Sequence, residues 1–137
     1  MAKHPAQTAA RRQSLPKAHR LLQAKQFQHV FDNVDCKISG RYFTFLTRSN
    51  SVAQAHNRLG LAISKRNVPL AITRNRIKRI AREVFRTQAT SASLPPFDVI
   101  VLAKAGARSL SREQLHQELT KQWKTLIAKR SKLPKAG

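Results

Sequence analysis

Two kinds of side chain in this sequence could do chemistry, and they point in different directions. The carboxylates number six. A metal-dependent nuclease gathers several of them around divalent ions, but here they are scattered, with Asp32 and Asp35 the only close pair. Asp is common at helix ends and in turns, which is where both are expected. The five histidines, His4, His19, His29, His56 and His116, show no metal-ligand spacing. Two of them could still meet as an acid and base pair, a reading weaker than one that leaves His29 and His116 on helix surfaces. No glycine-rich phosphate loop or nucleophile motif occurs. The expectation is a chain with no catalytic residue and no metal ligand of its own.

The cations are the other kind. There are 27 Lys and Arg against the six acids, a formal charge of +21 on 137 residues. That exceeds what solubility needs and implies a polyanionic partner, nucleic acid ahead of an acidic membrane. The longest apolar run, residues 99–103, is far too short to span a bilayer. Cations are densest over residues 65–86, where eight of the 22 are Lys or Arg and Glu83 is the only acid.

A helix must present them. Ile77, Ile80, Ala81, Val84 and Phe85 follow the i, i+3, i+4, i+7, i+8 spacing of a helix with one buried face. At about 100° per residue they occupy an arc of roughly 140°. Asn75, Arg76, Lys78, Arg79, Arg82 and Arg86 fill the rest, and Lys78, Arg82 and Arg86 form a row of like charges that repel by a few tenths of a kcal/mol per pair. Solvated faces usually mix signs. An unmixed one becomes favourable when a polyanion covers it and counterions are released, so RNA or DNA is the expected partner. Arg74 projects toward the edge of the apolar arc and could instead brace the neighbouring loop or strand. Thr73 is the expected N-cap, and the helix is expected to end near residue 88.

The remaining elements follow from pattern. Residues 1–19, rich in Ala, Gln, Lys and Arg with two prolines, read as a disordered basic arm. A short helix is expected over 24–33, with Phe27 and Phe31 sharing one face; aromatics at this spacing usually belong to the core. Residues 42–47 and 58–64 read as strands forming an antiparallel pair. On the first, Tyr42, Thr44 and Leu46 share one side. The continuous apolar run 97–103 reads as a strand buried on both faces, and strand, basic helix and strand in succession imply a parallel crossover unit. Ser111 and Gln114 form a capping box, with Leu110 and Leu115 as a hydrophobic staple, for a last helix burying Leu115, Leu119, Trp123, Leu126 and Ile127. Residues 129–137 make a basic tail. The folded part is thus one α/β domain over 20–128. The single Cys36 and an N-terminus without an apolar stretch make the cytoplasm the expected compartment.

The central stretch also carries a resemblance. Ser64-Lys65-Arg66-Asn67-Val68, then Ala71, then Arg74-Asn75-Arg76-Ile77-Lys78-Arg79-Ile80-Ala81-Arg82-Glu83 resembles the arginine-asparagine-arginine motif of the protein subunit of bacterial ribonuclease P. Weaker matches at Arg20-Leu21-Leu22, Gln26-Phe27, Val30-Phe31, Arg58-Leu59-Gly60-Leu61, Phe97-Asp98-Val99-Ile100-Val101 and Trp123 extend it over residues 20–127. The resemblance implies an α/β two-layer sandwich in αβββαβα order, with a left-handed βαβ crossover and a fold shared with a ribosomal protein domain. It further implies a subunit of an endoribonuclease whose catalytic partner is RNA, which binds Mg2+ and cleaves the 5′ leader from precursor tRNA. Lys65, Arg66, Arg74, Asn75, Arg76 and Arg79 would meet the RNA subunit. Phe27, Phe31, Tyr42, Thr44, Leu46, Lys78 and Arg82 would line or border the cleft for the leader, which takes the two rings out of the core. Some members have a tyrosine at the position of Leu46, a part that Tyr42 would then take, and a glycine in the loop over 67–73 that this chain lacks. The alternative is a structural RNA-binding protein such as a ribosomal component. A third possibility is a stand-alone nuclease using histidines.

Overall fold

The structure, a computed structural model, describes residues 15, 19–50, 56–89 and 96–133. Its elements run α1 (Ala24–Asp32), β1 (Cys36–Ser39), β2 (Phe43–Ser49), β3 (Arg58–Ala62), α2 (Ala71–Ala89), β4 (Phe97–Ala103), a 3-10 turn (Ala105–Ser109) and α3 (Arg112–Arg130). One four-stranded sheet takes the order β1-β2-β4-β3.

The strands at 42–47 and 58–64 were expected to pair with each other, and they do not. β4 lies between them, antiparallel to β2 with Phe45 opposite Val101, and parallel to β3 with Leu61 opposite Val101. The physical reason is in β4 itself: six of its seven residues are buried, and only a central strand can hide both faces of a continuous apolar run. β3, α2 and β4 make the parallel crossover unit. β1, a short strand that residue pattern alone did not pick out, hairpins onto β2, and the Gly40 amide donates to the Phe43 carbonyl at 2.8 Å.

Side-chain alternation divides the sheet into two faces. Phe43, Phe45, Thr47, Val99 and Val101 point to the side where α2 and α3 pack. There Trp123 sits among Phe45, Phe85 and Phe97, with ring centroids 5.4 to 6.1 Å apart. Ile77, Ile80, Ala81, Val84 and Phe85 of α2 are all buried in this core, as their spacing predicts. So are Leu115, Leu119, Trp123 and Leu126 of α3, with Ile127 packed beside them. The capping box forms, with Ser111 Oγ accepting from the Gln114 amide at 3.1 Å and Gln114 Oε1 accepting from the Ser111 amide at 2.9 Å.

On the opposite face Ile100 and Leu102 meet α1, where Leu21, Phe27 and Val30 close a smaller cluster. Two local expectations shift. α2 begins at Ala71, and the Leu70 carbonyl receives the Thr73 and Arg74 amides, so Thr73 lies in the first turn and is not the cap. Leu15 and His19, placed in the basic arm by sequence, belong to the packed domain: Leu15 is buried in the main core, and Arg20 bridges to Leu59. The rest of the arm, most of the stretch ending α2 and the tail residues 134–137 lie outside the described residues.

Candidate nucleic-acid interface

The apolar arc of α2 turns into the core, so its cationic arc must face outward. Asn75, Arg76 and Arg79 are exposed, while Lys78 and Arg82 are half-buried at the border of the packed face. None of Arg76, Lys78, Arg79 or Arg82 forms an ion pair with a carboxylate among the described residues. Arg82 is the most constrained: burial first, and the neighbouring Arg20 second, make its guanidinium easier to deprotonate than usual. A guanidinium stays charged near neutral pH all the same, so the two leave a concentrated positive potential with no carboxylate partner among the described residues.

The loop before α2 is fixed by its own hydrogen bonds. Val68 is buried, its amide donates to the Ser64 carbonyl at 2.9 Å, and Asn67 Nδ2 donates to the Ala103 carbonyl at 2.8 Å. Arg74 Nη1 donates to the carbonyls of Val68 and Pro69 at 2.9 and 2.8 Å. Arg74 therefore braces the loop, and exposed Lys65 and Arg66 stand on a rigid base beside the helix.

The second region lies on the α1 side of the sheet. Thr44 and Leu46 pair with Leu102 and Ile100, so they share that face, and both remain partly exposed. Phe27 lies across Gly60, where an added Cβ would come within 2.8 Å of its ring; only a glycine admits the ring so close to β3. Phe31 is 40% exposed, one of the few large apolar side chains so placed. The two rings thus divide, with Phe27 closing the small cluster and Phe31 open to solvent. Tyr42 precedes β2 and packs against the main core and Gly106, with Arg41 over its ring at 5.4 Å. The chain at Arg20 and Leu21 runs along the outer edge of β3, the Leu21 amide donating to the Leu59 carbonyl at 2.8 Å. That edge brings Arg82 beside Arg20. Sequence pattern gave no reason to place Arg20 in this cationic group.

Four of the six acids have partners elsewhere. Asp98 is 2% exposed and holds Arg58 through two contacts of 2.7 and 2.8 Å, which strengthens the hold of Arg58 on its proton. Asp35 accepts from Arg130, Thr47 and Ser49. Asp32 closes α1 and accepts from Gln28, and Glu83 lies 3.7 Å from His116. His29 and His116 are on helix surfaces, as expected. Among the described residues no group of three or more His, Cys, Asp or Glu could hold a metal ion. Nor is any described helix long and apolar enough to cross a membrane.

Comparison with known proteins gives this arrangement a family. The model of the family Ribonuclease P matches residues 15–127. The chain belongs to that family. A ribonuclease P protein component from Pseudomonas aeruginosa is 43% identical over 111 residues, 81% of this chain and 79% of the relative. Its counterpart from Chromohalobacter salexigens is 41% identical over 114 residues, covering 83% and 86%. Among solved structures, the ribonuclease P protein of Staphylococcus aureus superposes with a TM-score of 0.70 at 32% identity, covering 83% of this chain and 98% of that one. The ribonuclease P protein of Thermotoga maritima gives 0.59 at 25% identity, covering 74% and 96%. Family membership makes the chain a protein component of a tRNA-processing ribonucleoprotein.

Proposed function

We propose that this domain binds the catalytic RNA subunit of ribonuclease P through α2 and its preceding loop, and the 5′ leader of precursor tRNA across α1 and the open sheet face. The observation that carries the reading is a helix whose outward arc has many cations and, among the described residues, no carboxylate paired with Arg76, Lys78, Arg79 or Arg82. Lys65, Arg66, Arg74, Asn75, Arg76 and Arg79 serve the RNA subunit, with Arg74 acting partly by holding the loop. Phe31, Phe27, Thr44 and Leu46, bordered by Lys78 and Arg82, receive the leader, whereas Tyr42, packed against the main core on the other face of the sheet, stands apart from them. RNA performs the cleavage and holds the magnesium ions, while the protein screens phosphate repulsion between catalyst and substrate, which lowers the magnesium concentration that assembly requires. The expected compartment is the cytoplasm.

Reconstitution tests it. Added to the RNA subunit at low magnesium, the protein should restore cleavage of the leader from a precursor tRNA. No stimulation at any magnesium concentration, together with tight binding to ribosomal RNA, would favour the ribosomal alternative. Cleavage by the protein alone, lost on His29→Ala or His116→Ala, would favour the histidine nuclease.

A further inference from the structure

The cationic surface contains one stretch that is not cationic at all. Pro69, Leu70, Ala71 and Ile72 are four consecutive exposed apolar residues, and Leu70 and Ile72 are 65% and 70% exposed, more than the other large apolar side chains so placed. A run of this kind is unfavourable in a solvated loop unless something covers it. Nor is it a disordered strip awaiting a place in the core. Its neighbour Val68 fills that place, and Arg74, Asn67 and Ser64 tie the backbone down. The fold therefore holds a rigid apolar ridge outward at the start of α2, with Lys65 and Arg66 on one side in sequence and Arg74, Asn75 and Arg76 on the other.

We infer that residues 69–72 form the apolar centre of the RNA-subunit contact, where Leu70 and Ile72 lie against base and ribose faces that the surrounding cations bring into register. The inference rests on the function proposed above and adds to it a contact that does not depend on charge. Charge complementarity selects the occupant. A second copy of a chain carrying +21 would bring like-charged surfaces together, whereas RNA supplies both phosphates for the rim and flat, weakly polar base faces for the centre.

Charge-independent contacts can be separated from phosphate contacts by salt. The affinity for the RNA subunit is measured over a range of salt concentrations for the parent protein, Leu70→Ser/Ile72→Ser, Leu70→Met/Ile72→Met and Arg79→Gln. The serine variant should lose about tenfold or more at every salt concentration, with the slope of log affinity against log salt unchanged. The methionine variant should stay close to the parent, because Met supplies apolar surface of similar volume. Arg79→Gln should reduce the slope by about one. Parental affinity in the serine variant would overturn the inference, as would a reduced slope, a lowered melting temperature, or loss of self-association in place of RNA binding. A parent protein that fails to bind the RNA subunit overturns the proposed function itself, an outcome the parent curve alone reveals.

Discussion

Arg130 and Arg79 are the same residue on the two packed helices, and the molecule treats them in opposite ways. Arg130 is 7% exposed. It donates to Asp35 at 2.8 Å, Thr47 at 2.9 Å and Ser49 at 3.0 Å, and its guanidinium lies 4.4 Å from the centre of the Phe97 ring. Arg58 is likewise closed by Asp98. Arg79, with Arg76, Lys78 and Arg82, has no such partner among the described residues. A cation that serves the fold is matched inside the chain, because an unmatched charge in a low-dielectric site costs several kcal/mol. One that serves a partner is left unmatched and tolerates mild repulsion in water. The molecule thus separates into a neutralised frame and an uncompensated face, and the two should respond to different perturbations.

The largest separation should come from salt. If six to ten phosphates are engaged, affinity for RNA should fall by about 10³ to 10⁵ between about 50 and 200 mM salt, by analogy with duplex DNA. The melting temperature of the free protein should move little over the same range, since its buried pairs are screened far less than exposed charges. Equal sensitivity of binding and stability would erase the distinction.

Next comes the frame. Asp98→Ala leaves Arg58 without its carboxylate and should destabilise the domain by about 3 to 5 kcal/mol, read from urea unfolding followed by Trp123 fluorescence. Joint replacement, Arg58→Leu/Asp98→Leu, should restore most of that, because removing both charges also removes their desolvation cost. Failure of the double variant to recover would mean that the Asn50 contact to Asp98, 3.0 Å long, carries more of the stability than the ion pair.

The rings of α1 test the boundary between frame and face. Phe31→Ala should weaken binding of leader-bearing precursor by about 1 to 3 kcal/mol, leave mature tRNA binding unchanged and barely alter the melting temperature. Phe27→Ala should also destabilise the domain, since it empties the space above Gly60. Similar loss of stability in both variants would place Phe31 with the core.

How much of this was legible in sequence depends on whether a residue's fate is set locally. The buried stripe of α2 and the capping box of α3 are periodic or short-range signals, and they appear where the pattern puts them. The pairing of β2 and β3 with β4 is a long-range choice, made by burial of β4 on both faces, and alternation in two separate strands cannot express it. The start of α2 escaped for a related reason. Thr73 is a good cap by type, but Arg74 anchors the carbonyls of Val68 and Pro69, and the helix begins at Ala71, three residues before the start that a cap at Thr73 implies. The cationic face itself could be read from the helical wheel. That Arg20 joins Arg82, and that Leu70 and Ile72 stay exposed while Val68 does not, depends on contacts across the fold.

The smallest effect is the most discriminating. Lys78 stands four residues from both Arg74 and Arg82 on α2, so Lys78→Gln removes two like-charge i, i+4 pairs and should stabilise the free domain by a few tenths of a kcal/mol at low salt. The same change removes a candidate phosphate contact and should reduce the salt slope of RNA binding by about one. A side chain in the frame would behave oppositely, with its loss costing stability and leaving the slope alone. A lower melting temperature for Lys78→Gln with an unchanged slope would move Lys78 from the face to the frame. Stability and affinity moving in opposite directions is what a charge kept for an external partner should produce.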